Sequence, residues 1–369
     1  MMHEETIASL DETPFLVGVD LGGTQLRVAV LQGARLLSRV GWSTGSDTSP
    51  SNIISRISDA IQLALHQVNI QMDQILGIGI GVPGPVDHRS GMVFTLTNLP
   101  GWEHVPLSDL LAQKLATKVP IFVENDANSA GLGEYLFGAG RGYTNIIYLT
   151  LSTGIGSCII VDGNVVRGVC GAAGELGHIT IDWQGELCNC GNIGCLESIA
   201  SGTAIAKRAQ RIVEMPEGAE LRAFAHKMQE SSGEISEKLP IDAKLVALAA
   251  NAKVLLASEI ITRAAQGLGF GLVSIIHSFN PELIILGGGL TQMGALLIDP
   301  AQEIIQKRAM KASRDAARIV LAQFGEDVGL IGASALAYYS RKMDSYPAPQ
   351  EVVTHRKNLL SVRRERIST

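Results

Sequence analysis

Three of the five cysteines in the chain lie within eight residues, in the stretch CNCGNIGC at 188–195. Cys188, Cys190 and Cys195 offer three thiolates, and His178 stands upstream of them. Three thiolates and one imidazole make a closed tetrahedral set for Zn²⁺, with Zn–S near ~2.3 Å and Zn–N near ~2.0 Å. Because protein atoms fill every position, this zinc is expected to be structural rather than water-activating. A redox pair is the alternative, but the ligand number and softness favour a metal.

A glycine turn follows an apolar stretch near the N-terminus, in DLGGT at 20–24. Exposed amides of Gly22 and Gly23, with the Thr24 hydroxyl, are able to hold phosphate oxygens. Asp20 is able to hold Mg²⁺ through water, since Mg²⁺ keeps several waters when it binds to proteins. A plain hairpin turn has the same composition, and this alternative stays open for the turn taken alone.

A second turn, LSTGIG at 151–156, repeats the device. Ser152, Thr153 and Gly154 present hydroxyls and amides in the same order of strand, turn and strand. Two such turns that face each other across a cleft would hold a polyphosphate from both sides. The pair is therefore a more specific signal than either turn.

A third glycine-rich segment, LGGGL at 286–290, follows a buried apolar stretch. Gly287, Gly288 and Gly289 would offer a flat backbone surface to a nucleobase or ribose. A tight turn between a strand and a helix is the alternative, and the segment alone favours it.

The stretch VENDANSAGLGE at 123–134 places Asp126 directly after a predicted strand. A carboxylate at the mouth of a cleft can accept the proton of a hydroxyl that attacks phosphorus. The alternative is structural, because an Asp in this position also caps the helix that follows.

Two similar segments, 15–33 and 145–163, indicate how these residues are positioned. Each reads as an apolar strand, a Gly/Ser/Thr turn and a second apolar strand, which predicts two hairpins and a duplicated α/β unit. Between them the pattern predicts a helix near 51–69, a strand at 75–84, a helix near 106–117 and a strand at 119–126. After them it predicts a helix that starts near Cys195, a helical excursion or insertion at 214–242, a long helix over 243–278 with close packing or a bend at its glycines, and a buried strand within 281–290.

Composition limits the classes of protein to which the chain can belong. With 369 residues it is long enough for two domains, and its net charge of −6 gives no sign of a nucleic-acid or membrane partner. The N-terminus lacks the apolar core of a secretory signal, and no apolar stretch approaches the ~18 residues of a membrane span. Clustered cysteines do not suit a disulfide framework. We therefore expect a cytoplasmic protein.

Together, these pieces resemble the ROK family of sugar kinases and repressors. The matching segments occur in the family's order from about Phe15 to Tyr339, and TNLPGW with LTLSTGIG is most similar to the bacterial glucokinase branch. They are GVDLGGT, GVPGPVD, NLPGW, ENDANSAGLGE, LTLSTGIG, GAAGELGH, CNCGNIGCLES and LIILGGGL.

The resemblance implies an α/β protein with the actin-like ATPase (ribonuclease H-like) fold, in which two lobes enclose the active-site cleft. On this basis the small lobe spans 15–124 and is completed by a C-terminal helix at about 329–342. The large lobe spans 125–328 and contains the zinc loop 178–195. The segments outside the lobes, 1–14 and 343–369, are expected to be tails, the second of them basic and mobile.

The resemblance also assigns roles to individual residues. It makes Asp126 the catalytic base, and it gives His178 two tasks, with one ring nitrogen on zinc and the other on the sugar. The residues that it implies around the sugar are Pro83, Gly84, Asn98, Asn125, Asp126, Glu175, His178 and Glu197.

The implied activity is ATP- and Mg²⁺-dependent phosphorylation of glucose to glucose 6-phosphate by a homodimer. Alternatives are a kinase for fructose, mannose, N-acetylmannosamine or N-acetylglucosamine, and a non-catalytic sugar-sensing regulator. Only about fourteen residues precede the first strand, too few for the DNA-binding domain of the repressors, so no nucleic-acid partner is expected. The sequence leaves open the preferred sugar, the use of ADP or polyphosphate as donor, and the roles of 214–242 and the basic tail.

Overall fold

Two five-stranded sheets with the same strand order form the frame of the protein. The computed structural model describes residues 13–96, 99–232, 239 and 241–344. The strands are β1 (Phe15–Leu21), β2 (Gln25–Gln32), β3 (Arg35–Ser43), β4 (Ile75–Val82), β5 (Val86–Asp87), β6 (Met92–Thr95), β7 (Glu103–Pro106), β8 (Ile121–Asn125), β9 (Ile146–Leu151), β10 (Ile155–Val161), β11 (Asn164–Val165), β12 (Leu283–Gly287) and β13 (Arg318–Leu321). The α-helices are α1 (Pro50–Gln67), α2 (Leu107–Leu115), α3 (Asp126–Phe137), α4 (Leu196–Ala200), α5 (Gly202–Val213), α6 (Ala219–Ser232), α7 (Ala243–Asn251), α8 (Leu255–Phe279), α9 (Ala295–Arg308), α10 (Lys311–Ala316) and α11 (Val328–Asp344).

The strand orders confirm the predicted duplication. The first sheet has the order β3-β2-β1-β4-β8 and the second β11-β10-β9-β12-β13. In each, the first three strands form an antiparallel meander, and two further strands continue parallel to the first. Counted within its own half, each sheet therefore reads third, second, first, fourth, fifth, which is the repeated topology of the actin-like ATPase fold. A three-stranded sheet, β5-β6-β7, accompanies the first one.

The parallel strands β1 and β4 are apolar on both sides because helices cover both faces of their sheet. Two glycines matter for this packing. A methyl group added to Gly79 would lie 1.8 Å from the carbonyl oxygen of Ala333, and one added to Gly18 would lie 2.3 Å from that of Leu330. Helix α11 therefore lies directly on the backbone of the first sheet, and it covers the range of the predicted C-terminal helix.

Helices α3 and α11 connect the two sheets. Helix α3 follows the last strand of the first sheet but packs on the second, where Gly131 lies against Cys158. A methyl group on Gly133 would approach the Cα of Gly332 to 3.0 Å, so the two helices cross in close contact. The division into lobes at 124/125 stays a prediction, and the tails lie outside the described residues before 13 and after 344.

The prediction of one long helix over 243–278 is wrong, because α7 ends at Asn251 and α8 begins at Leu255. Lys253 between them takes the left-handed conformation, with φ 69°, which no helix interior allows. The predicted close packing of the α8 glycines is confirmed, since Gly271 leaves no room for a side chain beside Leu196.

The segment 214–242 contains a real helix in its described part. Helix α6 contributes Leu221 and Ala225, both fully buried, to the core of the second sheet's side. The predicted helical excursion is thus confirmed up to residue 232.

Among the described residues, α8 alone is long and apolar enough to cross a membrane by length and composition. However, 61% of its most apolar window is buried inside the fold. It packs against α7 and α9 as a central core helix.

Candidate active site

The site lies where the parallel strands of the first sheet end. Asp20 lies near the end of β1, Gly84 follows β4, and Asn125 and Asp126 mark the passage from β8 to α3. Ligands of open α/β sheets bind beyond the carboxyl ends of the strands. The topology therefore brings these predicted residues to one edge, and the Asp20 and Asp126 carboxylates are close enough to repel each other.

Asp126 is the first residue of α3, and the helix cap is Asn125. The Asn125 Oδ1 accepts hydrogen bonds from the amides of Ala127, at 2.9 Å, and Asn128, at 3.2 Å. Asn125 is therefore the cap of the helix, and Asp126 supports the same turn, because its Oδ1 also accepts from the Ala127 amide at 2.7 Å. This capping occupies the carbonyl end of Asn125 and leaves its amide end to face the Gly84 carbonyl oxygen, at 3.4 Å.

The pKa of the Asp126 carboxyl group lies close to neutral pH. The Asp126 side chain is exposed at this edge of the sheet, yet the protein atoms packed around it desolvate the carboxylate, and this desolvation is the largest cause that raises the pKa of Asp126 to about 6. The neighbouring carboxylates of Asp20 and Glu175 raise the pKa further, while the Ala127 amide opposes them. A carboxyl group with this pKa is ionised at pH 7 and is still a competent proton acceptor.

Four of the residues predicted around the sugar line one narrow cavity of about 60 Å³: Gly84, Asn125, Asp126 and Glu175. His178 adjoins it, with its Nε2 3.9 Å from the Glu175 Oε2. Pro83 precedes this group in the turn after β4, and Asn98 lies outside the described residues.

Glu197 stands between this cavity and the second glycine turn. Its Oε2 accepts a hydrogen bond from the Ile155 amide at 2.8 Å, and a methyl group on Gly154 would lie 2.6 Å from it. Glu197 is the second residue of α4, whose cap is Cys195. Glu197 thus connects the predicted zinc loop to the β9–β10 turn.

The first glycine turn, between β1 and β2, differs from the prediction in two respects. The Gly22 amide is not exposed to a ligand, because it donates to the Gln25 carbonyl oxygen at 2.8 Å and closes the turn. Asp20 forms an ion pair with Arg27, its cross-strand neighbour, through Nε at 3.0 Å. Sequence reasoning missed Arg27, although the hairpin register would have found it.

This ion pair affects where Mg²⁺ fits. Arg27 contacts only the Oδ2 of Asp20, and among the described residues no hydrogen bond reaches Oδ1. One carboxylate oxygen therefore stays available to a water of hydrated Mg²⁺, which is the mode of binding that Mg²⁺ prefers. Gly23 and Thr24 remain at the tip of the turn, with Thr24 exposed.

A larger cavity of about 580 Å³ opens beside the β9–β10 turn. Ser152, Thr153 and Gly289 line it, which brings together the second and third glycine segments. The rest of its wall comes from α5, α7 and the turn after β12, with Ala206, Ala247, Leu248, Leu290 and Met293 as apolar and Thr203, Asp242, Lys244, Asn251 and Gln292 as polar side chains. Sequence reasoning missed this wall, because nothing in the pattern of α5 and α7 indicates that the two helices face each other.

Two of the three glycines after β12 serve packing rather than the cavity. A methyl group on Gly288, whose φ is +85°, would lie 2.4 Å from the Leu151 carbonyl oxygen. One on Gly287 would lie 2.7 Å from the Tyr148 Oη. The alternative of a tight turn is therefore correct for these two, and only Gly289 faces open space.

Gly289→Val is expected to raise the KM for ATP about tenfold, or about 1.4 kcal/mol, because its side chain enters the larger cavity. Nothing lies within 4 Å of the added methyl position, so stability should hold, as it should in the control Gly41→Val on β3. Gly154→Val is a poorer probe, since it strikes Glu197. Steady-state kinetics in both substrates checks this, and an unchanged KM for ATP would remove the cavity from nucleotide binding.

The four predicted zinc ligands meet at one point. Ligand atoms of His178, Cys188, Cys190 and Cys195 all lie within 4.8 Å of one another. The Cys188 Sγ is 3.6 Å from the His178 Nδ1, and the Cys190 and Cys195 sulfurs are 3.7 Å apart. A tetrahedron with metal bonds of about 2.0–2.3 Å has edges of about 3.3–3.8 Å, so these two distances fit Zn²⁺, and the four donors have the type and number that it prefers.

The loop between these four residues turns at two glycines. Gly191 and Gly194 both have positive φ, at 90° and 66°, as the prediction of turning glycines requires. A methyl group on Gly194 would lie 1.5 Å from the Asp182 carbonyl oxygen. Since the His178 Nδ1 faces the thiols and its Nε2 faces Glu175, the ring is oriented for two different partners.

Comparisons with known proteins identify the family of the chain. The sequence model of the ROK family matches residues 16–339. A glucokinase of Halalkalibacterium halodurans is 36% identical over 322 residues, which cover 87% of this chain and 94% of the relative. The crystal structure of a ROK family glucokinase from Streptomyces griseus in complex with glucose and AMPPNP has a TM-score of 0.73 and 32% identity, covering 88% of this chain and 99% of that one.

Relatives with a different role also match. A xylose repressor of Caldicellulosiruptor bescii is 31% identical and covers 87% of this chain, which spans 77% of that protein. The fold is the actin-like ATPase fold of these structural neighbours. The family match over nearly the whole described chain, together with the glucokinase relatives, establishes that this protein is a member of the ROK family.

Proposed function

We propose that this protein is an ATP-dependent hexose kinase that converts glucose to glucose 6-phosphate, with Asp126 as the general base. One observation carries the proposal: Asp126, with its pKa near 6, lines the same cavity as Gly84, Asn125 and Glu175. The likeness to glucokinases, one of them solved with glucose and AMPPNP, supports the choice of sugar and donor.

The reaction is a single in-line displacement. Asp126 accepts the proton of the sugar's 6-hydroxyl while that oxygen attacks the γ-phosphorus of ATP. A new oxygen–phosphorus bond forms, the bond between the γ-phosphorus and the β–γ bridging oxygen breaks, and ADP leaves with the electron pair. Gly23 and Thr24 at the tip of the first turn, and the turn at 152–154, would hold the phosphates, and closure of the cleft would exclude water that otherwise hydrolyses ATP.

Two metal ions complete the proposal. Asp20 would hold Mg²⁺ through water, and Mg²⁺ neutralises charge on the transferred phosphoryl group. Zn²⁺ on the four ligands would fix the tautomer of His178 and direct its Nε2 toward a sugar hydroxyl, so its contribution is structural. Cytoplasmic location and the absence of a nucleic-acid partner remain proposals that rest on the composition and sequence pattern, and a homodimer remains a proposal that rests on the family resemblance.

The kcat/KM for the sugar is expected to fall as the pH drops through about 6, because protonated Asp126 cannot accept a proton. The carboxyl group is ionised above its pKa, so activity should be constant above about pH 7 and decline about tenfold per unit below pH 5. A pH profile of kcat/KM, which reports the free enzyme, measures this directly. An acid limb centred near 4 would mean that the site leaves Asp126 unperturbed.

A panel of sugars with ATP tests the substrate assignment. Release of ADP is measured with glucose, fructose, mannose, N-acetylmannosamine and N-acetylglucosamine, each over a range of concentrations. We expect the highest kcat/KM for glucose. A higher value for another sugar would make the protein a different sugar kinase, and sugar binding without turnover would favour a sensing role like that of the repressor relatives.

A further inference from the structure

A buried ion pair lies directly beneath the segment that presents Asp126. Glu124, in β8, is 1% exposed, and its Oε2 accepts a hydrogen bond from the Arg167 Nε at 2.6 Å. The other carboxylate oxygen accepts from the Asn125 amide at 3.0 Å and from the Asn128 Nδ2 at 3.2 Å. Every oxygen of the buried carboxylate is therefore satisfied, and two of its partners flank the proposed base.

Arg167 belongs to a different part of the chain, the loop that follows β11. Its carbonyl oxygen accepts from the Ala173 amide at 3.1 Å, which closes the loop on itself. The same loop continues through Gly171, Ala173 and Gly174 to Glu175, all of which line the small cavity. The ion pair therefore ties one wall of the cavity to the strand end that forms its floor.

A third element meets the pair. The Arg167 guanidinium lies 5.9 Å from the ring centre of Tyr339 on α11, a cation–π distance. Tyr339 is itself fixed, because its hydroxyl accepts from the Val165 amide at 3.3 Å. Arg167 thus joins the first sheet, the second sheet and α11.

We propose that Glu124 and Arg167 are a positioning pair that holds the strand end carrying Asp126 against the loop carrying Glu175 and thereby sets the shape of the hexose pocket. This inference rests on the proposed function and deepens it. Neither residue lines the cavity, so both act through their neighbours. A buried pair of this kind is costly to break on one side only, because the remaining charge is left without a partner.

The charges around the site predict the direction in which the pKa of Asp126 moves when the ion pair is broken. Asp126 is faced by Asp20 from β1 and Glu175 from the loop, and the pair itself is faced by His88 after β5. Burial and then the Arg167 charge lower the pKa of His88, while the Glu124 and Asp87 charges oppose them. Glu124→Gln removes a negative charge two residues before Asp126 and leaves Arg167 without its partner, so the net charge beneath the base becomes more positive, which is expected to lower the pKa of Asp126.

The experiment compares Glu124→Gln, Arg167→Met and the double variant with wild type. For Glu124→Gln we expect the acid limb of the kcat profile to move down by about 0.5 pH unit. For the double variant we expect the acid limb to return to its wild-type position. The double variant leaves no unmatched charge and should fold, but without the tie its KM for glucose should rise about tenfold, with the KM for ATP within about twofold. Arg39→Met, which breaks the exposed ion pair with Asp327, is the control and should leave all values unchanged.

Glucose affinity measured by calorimetry without ATP separates this inference from the proposed function. If wild type binds glucose without turnover, the kinase proposal fails, and a weakened glucose affinity of the double variant still supports the positioning pair. An unmoved acid limb in Glu124→Gln, together with unchanged glucose affinity in the double variant, would overturn the inference. Equal rises in both KM values would mean that the pair supports only the fold.

Discussion

Asp126→Asn is expected to lower kcat for hexose phosphorylation at least ~10²-fold, the scale of a lost general base. In wild type the Asp126 Oδ1 accepts a hydrogen bond from the Ala127 amide at 2.7 Å. The Asn side chain keeps the size of Asp and can still accept this hydrogen bond, but it cannot accept the proton of the attacking hydroxyl. Affinity for glucose should largely survive, because the other residues that line the cavity are unchanged. Steady-state kinetics with calorimetry of glucose binding measures both quantities.

The stability of this variant provides its control. A carboxyl group whose pKa is raised from 3.8 to about 6 in the folded state costs stability as the pH rises through that interval, and the full cost applies above it. Removal of the charge should therefore leave Tm at pH 7 unchanged or slightly higher. The gain in stability is small because solvent reaches the group. A low kcat with intact Tm and glucose affinity isolates the chemistry, whereas near-normal turnover would remove Asp126 from the mechanism.

The second large effect is expected from Cys190→Ala. Loss of one of four ligands should weaken zinc binding and loosen the loop that holds it, since metal binding and folding are coupled. His178 then loses the partner of its Nδ1, and α4, which carries Glu197, loses the anchor at its first turn. We expect the KM for glucose to rise at least about tenfold and kcat to fall.

The same variant is also expected to affect the ATP site. Because Glu197 also holds the Ile155 amide beside the β9–β10 turn, a loosened α4 reaches the phosphate site, and we expect the KM for ATP to rise about two- to threefold. Cys170→Ala, an exposed cysteine outside the cluster, is the matched control. Metal analysis should find one zinc per wild-type chain, and an active enzyme free of zinc would contradict the assignment.

The sequence predicted the hairpins because strands and turns are local features. The 15–33 and 145–163 segments, their glycines and their shared pattern lie within twenty residues each, and the structure has both. The predicted zinc ligands could also be recognised from the sequence, because thiolates and imidazole at short spacing have few other uses. Parallel strands then place Asp20, Gly84 and Asp126 at one edge without further information.

What the sequence could not predict depends on which distant elements meet. The partnership of Glu124 with Arg167, 43 residues away, follows from the packing of the second sheet's loop on the first sheet. The wall of the larger cavity requires the mutual position of α5 and α7. The break at Lys253 was hidden because a single left-handed residue interrupts an otherwise continuous helical pattern.

The central claim is that this ROK family member transfers the γ-phosphoryl group of ATP to glucose at the Asp126 site. The most direct measurement incubates purified wild type and Asp126→Asn with glucose, ATP and Mg²⁺ and identifies the products by phosphorus NMR. We expect equal amounts of ADP and glucose 6-phosphate from wild type and almost none from the variant. Wild-type ADP with free phosphate, or no product while glucose is bound, would contradict it.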